Sequence, residues 1–105
     1  MRRGDIHEFR PPRVRGREQH GRRFGVVLQA DEFLPRSVVI VAPTSQSARP
    51  ATFRPEIEID DQPTRVLVEQ LGAVDTGRLG KLVGHIGPAE QWEIDDALRL
   101  ILSLG

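Results

Sequence analysis

Short apolar runs separated by polar stretches recur along the chain and predict β-strands. Four of these strand-like runs are brief: residues 6–9, 26–28, 65–68 and 82–86. Residues 56–60 alternate strictly between acidic and aliphatic side chains, which predicts a strand with one buried face. The continuous aliphatic run at residues 38–41 instead predicts a strand that is buried on both faces. The pattern therefore indicates a sheet built from several short strands.

The C-terminal segment has the periodicity of a helix. Pro88 suits a first helical turn, and Glu90 complements the helix dipole there. One face then carries apolar residues at helical spacing: Ile94, Ala97, Leu98, Ile101 and Leu102. Short strands followed by a terminal helix predict a mainly β domain of the α+β class, a small curled antiparallel sheet capped by that helix. A chain of 105 residues without linker or internal repeat predicts one domain, residues 1–105.

Two polar segments separate the predicted strands. Residues 10–22 contain two prolines and two glycines, and residues 44–54 follow the aliphatic run of the next strand. A loop as long as the first is usually functional or disordered inside a compact domain. Because binding and catalytic residues concentrate on loops that a rigid sheet holds, these two segments are where we expect the chemistry.

Charge is distributed unevenly along a chain whose formal net charge is zero. Residues 1–23 contain eight arginines against three acidic residues, a net charge of +5, so the remaining residues carry −5. A local basic patch on a neutral protein is typical of phosphate binding. The alternative is a solvated arginine-rich loop, and arginine is the dominant basic residue throughout, with Lys81 the single lysine.

Composition excludes several classes of site. There is no cysteine, so disulfides and thiolate metal sites are excluded and a cytoplasmic location is expected. No apolar signal stretch follows the N-terminus, and no window approaches the roughly 20 apolar residues of a membrane span. The acidic segments 56–61 and 93–96 lack histidine partners, so we predict solvated faces there, with no metal and no cofactor.

Three motifs occur in an informative order. Residues 3–6 read Arg-Gly-Asp-Ile, residues 16–23 read Gly-Arg-Glu-Gln-His-Gly-Arg-Arg and lead into a strand, and residues 41–46 read Val-Ala-Pro-Thr-Ser-Gln. This chain resembles the MazF/PemK toxin family, bacterial mRNA-cleaving endoribonucleases of toxin–antitoxin pairs, over nearly its whole length. One departure is Phe24, which stands where the family usually has proline after its arginine.

The resemblance implies a fold, a set of partners and a location for the site. The implied fold is an SH3-like barrel with a C-terminal helix, as in MazF, PemK and CcdB. The implied partners are single-stranded RNA along the interface of a homodimer and a cognate MazE-like antitoxin with a disordered acidic tail. Such a tail would fold on binding in the same groove, where charge complementarity favours it.

The resemblance also implies catalytic residues, namely Arg23, Thr44 and Glu18. RNA cleavage through the 2′-hydroxyl needs a base, a cation at the phosphate and an acid for the leaving oxygen. The planar guanidinium of Arg23 can hold two phosphate oxygens and does not readily lose its proton, so we assign it charge stabilisation. The Thr44 hydroxyl can donate to a phosphate oxygen, and Glu18 could orient Arg23 or accept a proton. The identities of the acid and the base stay open.

Several loop residues are candidates for binding RNA. They are Arg15, Arg17, Gln19, His20, Arg22, Ser45 and Gln46. His20 is also a hypothetical base, because flanking arginines favour its neutral form. Glu69 and Gln70 follow a later apolar run and could either read bases or cap a turn.

Two other functions use the same scaffold. CcdB-type toxins share the implied fold but act by binding DNA gyrase, and a plain RNA-binding barrel would not cleave its ligand. Fold alone does not decide between them. The pairing of Arg23 with Thr44 favours the nuclease, because a gyrase binder has no need of it.

Overall fold

The computed structural model describes residues 1–10 and 23–105. Within them the chain forms a seven-stranded antiparallel sheet and one α-helix. The elements are β1 (Asp5–Phe9), β2 (Phe24–Val27), β3 (Val38–Ser45), β4 (Glu56–Ile59), β5 (Gln62–Val66), β6 (Gly72–Asp75), β7 (Leu79–His85) and α1 (Pro88–Leu102). The prediction of a mainly β domain with a C-terminal helix is confirmed.

Strand β3 organises the sheet because its two ends pair with different strands. The strand order is β4-β5-β3-β2-β1-β7, and β6 pairs with the N-terminal half of β3. The C-terminal end of β3 pairs with β5, where Thr44 lies opposite Val66 and Ser45 opposite Arg65. On its other side β3 pairs with β2, where Gly25 lies opposite Pro43. The sheet therefore curls into a half-barrel around β3.

The main core fills the inside of this half-barrel and is closed by the helix. Phe24, Val26 and Val66 from the sheet are buried together with Ile94 and Ala97 of α1. The helix begins as predicted, with proline at its first position and the Glu90 carboxylate accepting a 2.8 Å hydrogen bond from the Gly87 N–H. A smaller cluster packs on the opposite face of the sheet, with members Phe9, Val27, Val39 and Val41.

The prediction that residues 38–41 are buried on both faces was wrong for one face. Val39 and Val41 are fully buried, whereas Val38 and Ile40 are 49% and 39% exposed. The helix contacts the 3-10 turn Val68–Gln70, close to the C-terminal end of β3. On this face of β3, no described element covers the N-terminal end of the strand, so Val38 and Ile40 stay accessible in the single chain.

Two further differences concern the length of one strand and the existence of another. Strand β3 runs on to Ser45, although the apolar pattern ends at Ala42, because its last residues pair with β5. Strand β6 was missed, since a segment of glycine, alanine, valine and aspartate has little strand signal of its own. Within the described residues, no helix combines the length and apolarity needed to cross a membrane.

The Arg-Gly-Asp segment at residues 3–5 ties the N-terminus to distant elements. The Arg3 side chain donates to the Leu28 carbonyl at 2.7 Å and to Asp95 of α1 at 2.8 Å. Gly4 has φ +91°, and an added Cβ would lie 3.0 Å from the Ile86 side chain, so only glycine fits this turn. Asp5 is buried and pairs with His85 at 2.9 Å. These residues of the motif therefore serve the fold.

Candidate active site

Several of the predicted site residues lie outside the described part of the chain. They are Arg15, Arg17, Glu18, Gln19, His20 and Arg22. The roles assigned to them from the sequence stay predictions. The described candidates are Arg23, Thr44, Ser45 and Gln46, which all lie where β2 begins and β3 ends.

The backbone of Arg23 is fixed by the neighbouring strand. Arg23 directly precedes β2, and its carbonyl accepts a 2.8 Å hydrogen bond from the Phe9 N–H, which continues the pairing of β1 with β2. Its side chain is half-buried. The base of this side chain is thus held by the sheet, which limits the entropy lost when the guanidinium binds a ligand.

Thr44 is buried and hydrogen-bonded within the sheet. Its side chain shares a face with the core residue Ala42, and the residue is 3% exposed. The hydroxyl donates to the Phe24 carbonyl at 3.1 Å. A threonine hydroxyl has one proton to donate. In this structure that proton is used to join the end of β3 to the residue that follows Arg23.

The next two residues of β3 and its following loop are more accessible. Ser45 is half-buried and accepts a 3.2 Å hydrogen bond from the Ser47 N–H, while Gln46 is exposed. The structure therefore brings Arg23, Thr44 and Ser45 together on adjacent chain segments, with Thr44 turned to the core and Ser45 turned away from it.

A partly buried ion pair that the sequence did not indicate holds the loop after β3. The Arg54 guanidinium binds one oxygen of Glu69 twice, with distances of 2.7 Å from Nε and 2.6 Å from Nη2. Arg54 also donates to the Arg49 carbonyl at 3.1 Å. The other Glu69 oxygen is buried and has no hydrogen-bond partner among residues 1–10 and 23–105. Because the partners are far apart in sequence, no local pattern could have indicated the pair.

A cleft of about 320 Å³ opens beside this loop, between it, β5 and α1. Its lining residues are Ala51, Thr52, Arg54, Pro55, Glu56, Arg65, Glu93 and Asp96. The cleft carries charged side chains of both signs. No group of three or more histidine, aspartate or glutamate residues that could hold a metal ion occurs in the part of the chain that the structure describes.

Comparison with known proteins agrees with the fold. The model of a family described as PemK-like, MazF-like toxin of type II toxin–antitoxin system matches residues 2–102. A candidate toxin of Mycobacterium tuberculosis is 52% identical over 86 residues, covering 82% of this chain and 76% of that protein. The endoribonuclease MazF of Staphylococcus epidermidis is 30% identical over 113 residues, covering 99% of this chain and 92% of that protein.

Solved structures show the same fold at low sequence identity. MazF from Deinococcus radiodurans superposes with a TM-score of 0.82 at 18% identity, covering 99% of this chain and 97% of that one. The structure of MazE–MazF from the same organism gives a TM-score of 0.78 at 17% identity, covering 100% and 97%. Together, the family match over residues 2–102 and the Staphylococcus relative show that this chain belongs to the PemK-like, MazF-like toxins of type II toxin–antitoxin systems.

Proposed function

We propose that this chain is a sequence-selective endoribonuclease that cleaves single-stranded RNA through the RNA's own 2′-hydroxyl. The observation that carries the proposal is the placement of Arg23 beside the end of β3, where the Thr44 hydroxyl joins the two strands at Phe24. The name of the Staphylococcus relative supports the same activity. Single-stranded RNA presents unstacked base edges to a groove and is therefore the suitable substrate.

The proposed reaction needs no group beyond the protein and the RNA. The 2′-oxygen attacks the adjacent phosphorus as its proton passes to a base. The bond from phosphorus to the 5′-oxygen then breaks, and that oxygen receives a proton from an acid. The products are a 2′,3′-cyclic phosphate and a 5′-hydroxyl. Arg23 stabilises the charge that develops on the phosphate oxygens. Glu18 and His20 remain candidates for the proton transfers.

Thr44 enters the proposal as a positioning residue. The sequence predicted that its hydroxyl donates to a phosphate oxygen, whereas in the structure the hydroxyl donates to the Phe24 carbonyl from a buried position. The bond fixes the chain directly after Arg23. We therefore assign Thr44 the task of holding the strand ends together, and leave contact with RNA to more accessible groups.

The proposed biological role is growth inhibition by a homodimeric toxin that a MazE-like antitoxin neutralises. The MazE–MazF structure from Deinococcus radiodurans supports the antitoxin as a partner. Leu82 on the edge strand β7 and Trp92 on α1 are 54% and 70% exposed in the single chain, which fits a subunit contact. Sedimentation equilibrium of the purified protein tests the dimer.

The decisive experiment incubates the pure protein with a long RNA in the presence of EDTA. We expect fragments with 5′-hydroxyl and 2′,3′-cyclic phosphate ends, and primer extension will locate the cut sites. Arg23→Ala should lower the rate by about a hundredfold or more, because it removes a charge-stabilising donor. Arg36→Ala, two residues before the N-terminal end of β3, is the matched control. Intact RNA with the wild-type protein would refute the nuclease and favour a gyrase-binding toxin.

A further inference from the structure

The register of the sheet places two arginines on either side of Ser45. Strands β2 and β3 pair with Gly25 opposite Pro43, so two further residues bring Arg23 opposite Ser45. The Thr44 bond to the Phe24 carbonyl lies at the intermediate step and agrees with this alignment. On its other side, Ser45 lies directly opposite Arg65 of β5.

These three side chains share the face that points away from the core. Residues opposite one another in an antiparallel pair lie on the same face, and their Cβ atoms are about 5 Å apart. Phe24, Thr44 and Val66, the neighbours in each strand, all lie on the core face and are buried. The alternation of side chains therefore turns Arg23, Ser45 and Arg65 to the other face. We call these three residues the cross-strand row.

Arg65 is held in place but retains donors for a ligand. Its Nη1 donates to the Arg54 carbonyl at 3.0 Å, and its Nη2 lies 3.8 Å from a Glu56 carboxylate oxygen. A guanidinium carries five N–H donors, of which the hydrogen bond to the Arg54 carbonyl uses one, while the Glu56 contact is an ion pair too long for a hydrogen bond. The side chain is 23% exposed and lines the cleft beside the loop. The backbone contact preorganises the cation, as the strand pairing does for Arg23.

We propose that Arg65 is a further RNA-binding residue, which contacts the phosphate next to the one that Arg23 holds while Ser45 donates between them. A strand of RNA that crosses β3 along the row meets two cations separated by two strand spacings, roughly 10 Å. Guanidinium groups bind phosphate oxygens through two parallel hydrogen bonds. The inference rests on the proposed RNA cleavage, and it adds a second phosphate subsite to it.

The charges on the cleft walls predict where the contacts with RNA phosphates end. Beyond Arg65 the cleft walls carry the carboxylates of Glu56, Glu93 and Asp96 against one further cation, Arg54, whose charge is paired with Glu69. Phosphates are repelled there, so Arg65 is the last cation of the row. The RNA backbone must turn away from the sheet at this point, and Glu93→Gln is expected to leave phosphate binding unreduced.

The test measures binding separately from cleavage. The probe is a short single-stranded RNA in which every 2′-hydroxyl is methylated, so it binds but offers no nucleophile. Affinity is measured against salt concentration for the wild type, Arg65→Gln, Arg65→Lys and the control Arg36→Gln. Each lost phosphate contact on single-stranded RNA reduces the slope of log affinity against log salt by about 0.7. Cleavage of unmodified RNA is assayed in parallel, and circular dichroism verifies folding.

We expect Arg65→Gln to weaken binding about tenfold at low salt and to reduce the slope by about 0.7, while Arg65→Lys restores the slope and Arg36→Gln changes neither. An unchanged slope in folded Arg65→Gln would overturn the proposal, even if the wild type cleaves RNA. If Arg65→Gln fails to fold, Arg65→Met takes its place, because it keeps an unbranched apolar stem without the charge: a slope reduced by about 0.7 supports the row, and an unchanged slope contradicts it. If the protein binds the methylated RNA with the expected salt dependence but does not cleave unmodified RNA, the proposed nuclease activity is refuted and the phosphate subsite at Arg65 is retained.

Discussion

Two adjacent hydroxyl residues at the end of β3 have opposite surroundings. Thr44 is buried at 3% exposure and hydrogen-bonded to the Phe24 carbonyl, while Ser45 is half-buried and lies opposite Arg65. A strand sends successive side chains to opposite faces, so one of the pair must face the core. Residue type does not reveal which one does. The register with β2 and β5 decides it, and the register depends on contacts between distant segments.

Exchanging Thr44 for valine or serine separates positioning from direct catalysis. Thr44→Val keeps the shape of the side chain but removes the hydrogen bond to Phe24, so we expect a loss of about 1 kcal/mol in the free energy of unfolding. The rate of RNA cleavage should fall by about tenfold, because Arg23 is then less well ordered. Thr44→Ser keeps a hydroxyl at this position and should retain both the free energy of unfolding and the cleavage rate. Urea unfolding and single-turnover cleavage measure these two quantities.

The two explanations differ in how stability and rate change together. If Thr44 donates directly to the phosphate, Thr44→Val should lose about a hundredfold or more in rate, as expected for a lost oxyanion donor. A loss of that size without any change in the unfolding free energy would contradict the positioning role.

At the scale of elements, an ion pair between Arg54 and Glu69 helps to hold the loop after β3. The side chains of Arg54 and Glu69 are 24% and 21% exposed, so their interaction is less screened than that of a surface pair. This pair connects the loop to the 3-10 turn Val68–Gln70, which itself contacts both α1 and β3. The end of this loop at Arg54 is therefore anchored by a residue 15 positions later in the sequence.

Removing the carboxylate of Glu69 should loosen this loop. Glu69→Gln leaves the partly buried Arg54 without its counter-charge, and we expect it to lower the free energy of unfolding by about 1–3 kcal/mol. Thermal unfolding followed by circular dichroism measures the change. The control is Asp96→Asn, which breaks the exposed pair of Asp96 with Arg99 and should change stability by less than about 1 kcal/mol. Equal effects of the two substitutions would show that the Arg54 pair has no special role.

The local sequence was sufficient for most elements and insufficient for their connections. The helix from Pro88 and the alternating strand β4 were predicted because their periodicity reports one buried face. Strand β6 and the last residues of β3 were missed, since partners elsewhere in the chain stabilise them. The same reason applies to Arg65, whose place beside Ser45 exists only through the sheet register.

At the scale of the whole molecule, the N-terminal turn joins the start of the chain to the end of β7. The Asp5 carboxylate, at the start of β1, accepts a 2.8 Å hydrogen bond from the Arg2 N–H. Its other oxygen lies 2.9 Å from Nδ1 of His85, at the end of β7. Burial raises the pKa of the Asp5 carboxyl, but the hydrogen bonds to His85 and Arg2 outweigh burial and hold this pKa below its ordinary value of 3.8. The charged form of Asp5 therefore stabilises the folded chain.

This shift predicts how acid unfolds the protein. A carboxyl whose pKa is lower in the folded than in the unfolded state stabilises the folded chain. This contribution is complete above the pKa of the unfolded state, here 3.8, and it is lost as the pH falls through the pKa of the folded state. In that window the unfolded chain binds more protons, so the free energy of unfolding rises with pH. Asp5→Asn should be less stable than the wild type at neutral pH and should show a shallower pH dependence below 3.8. Urea unfolding at a series of pH values measures both, with Glu93→Gln on the exposed face of α1 as the control. Parallel pH curves for Asp5→Asn and the wild type would show that the turn is held by its backbone and by Arg3 alone.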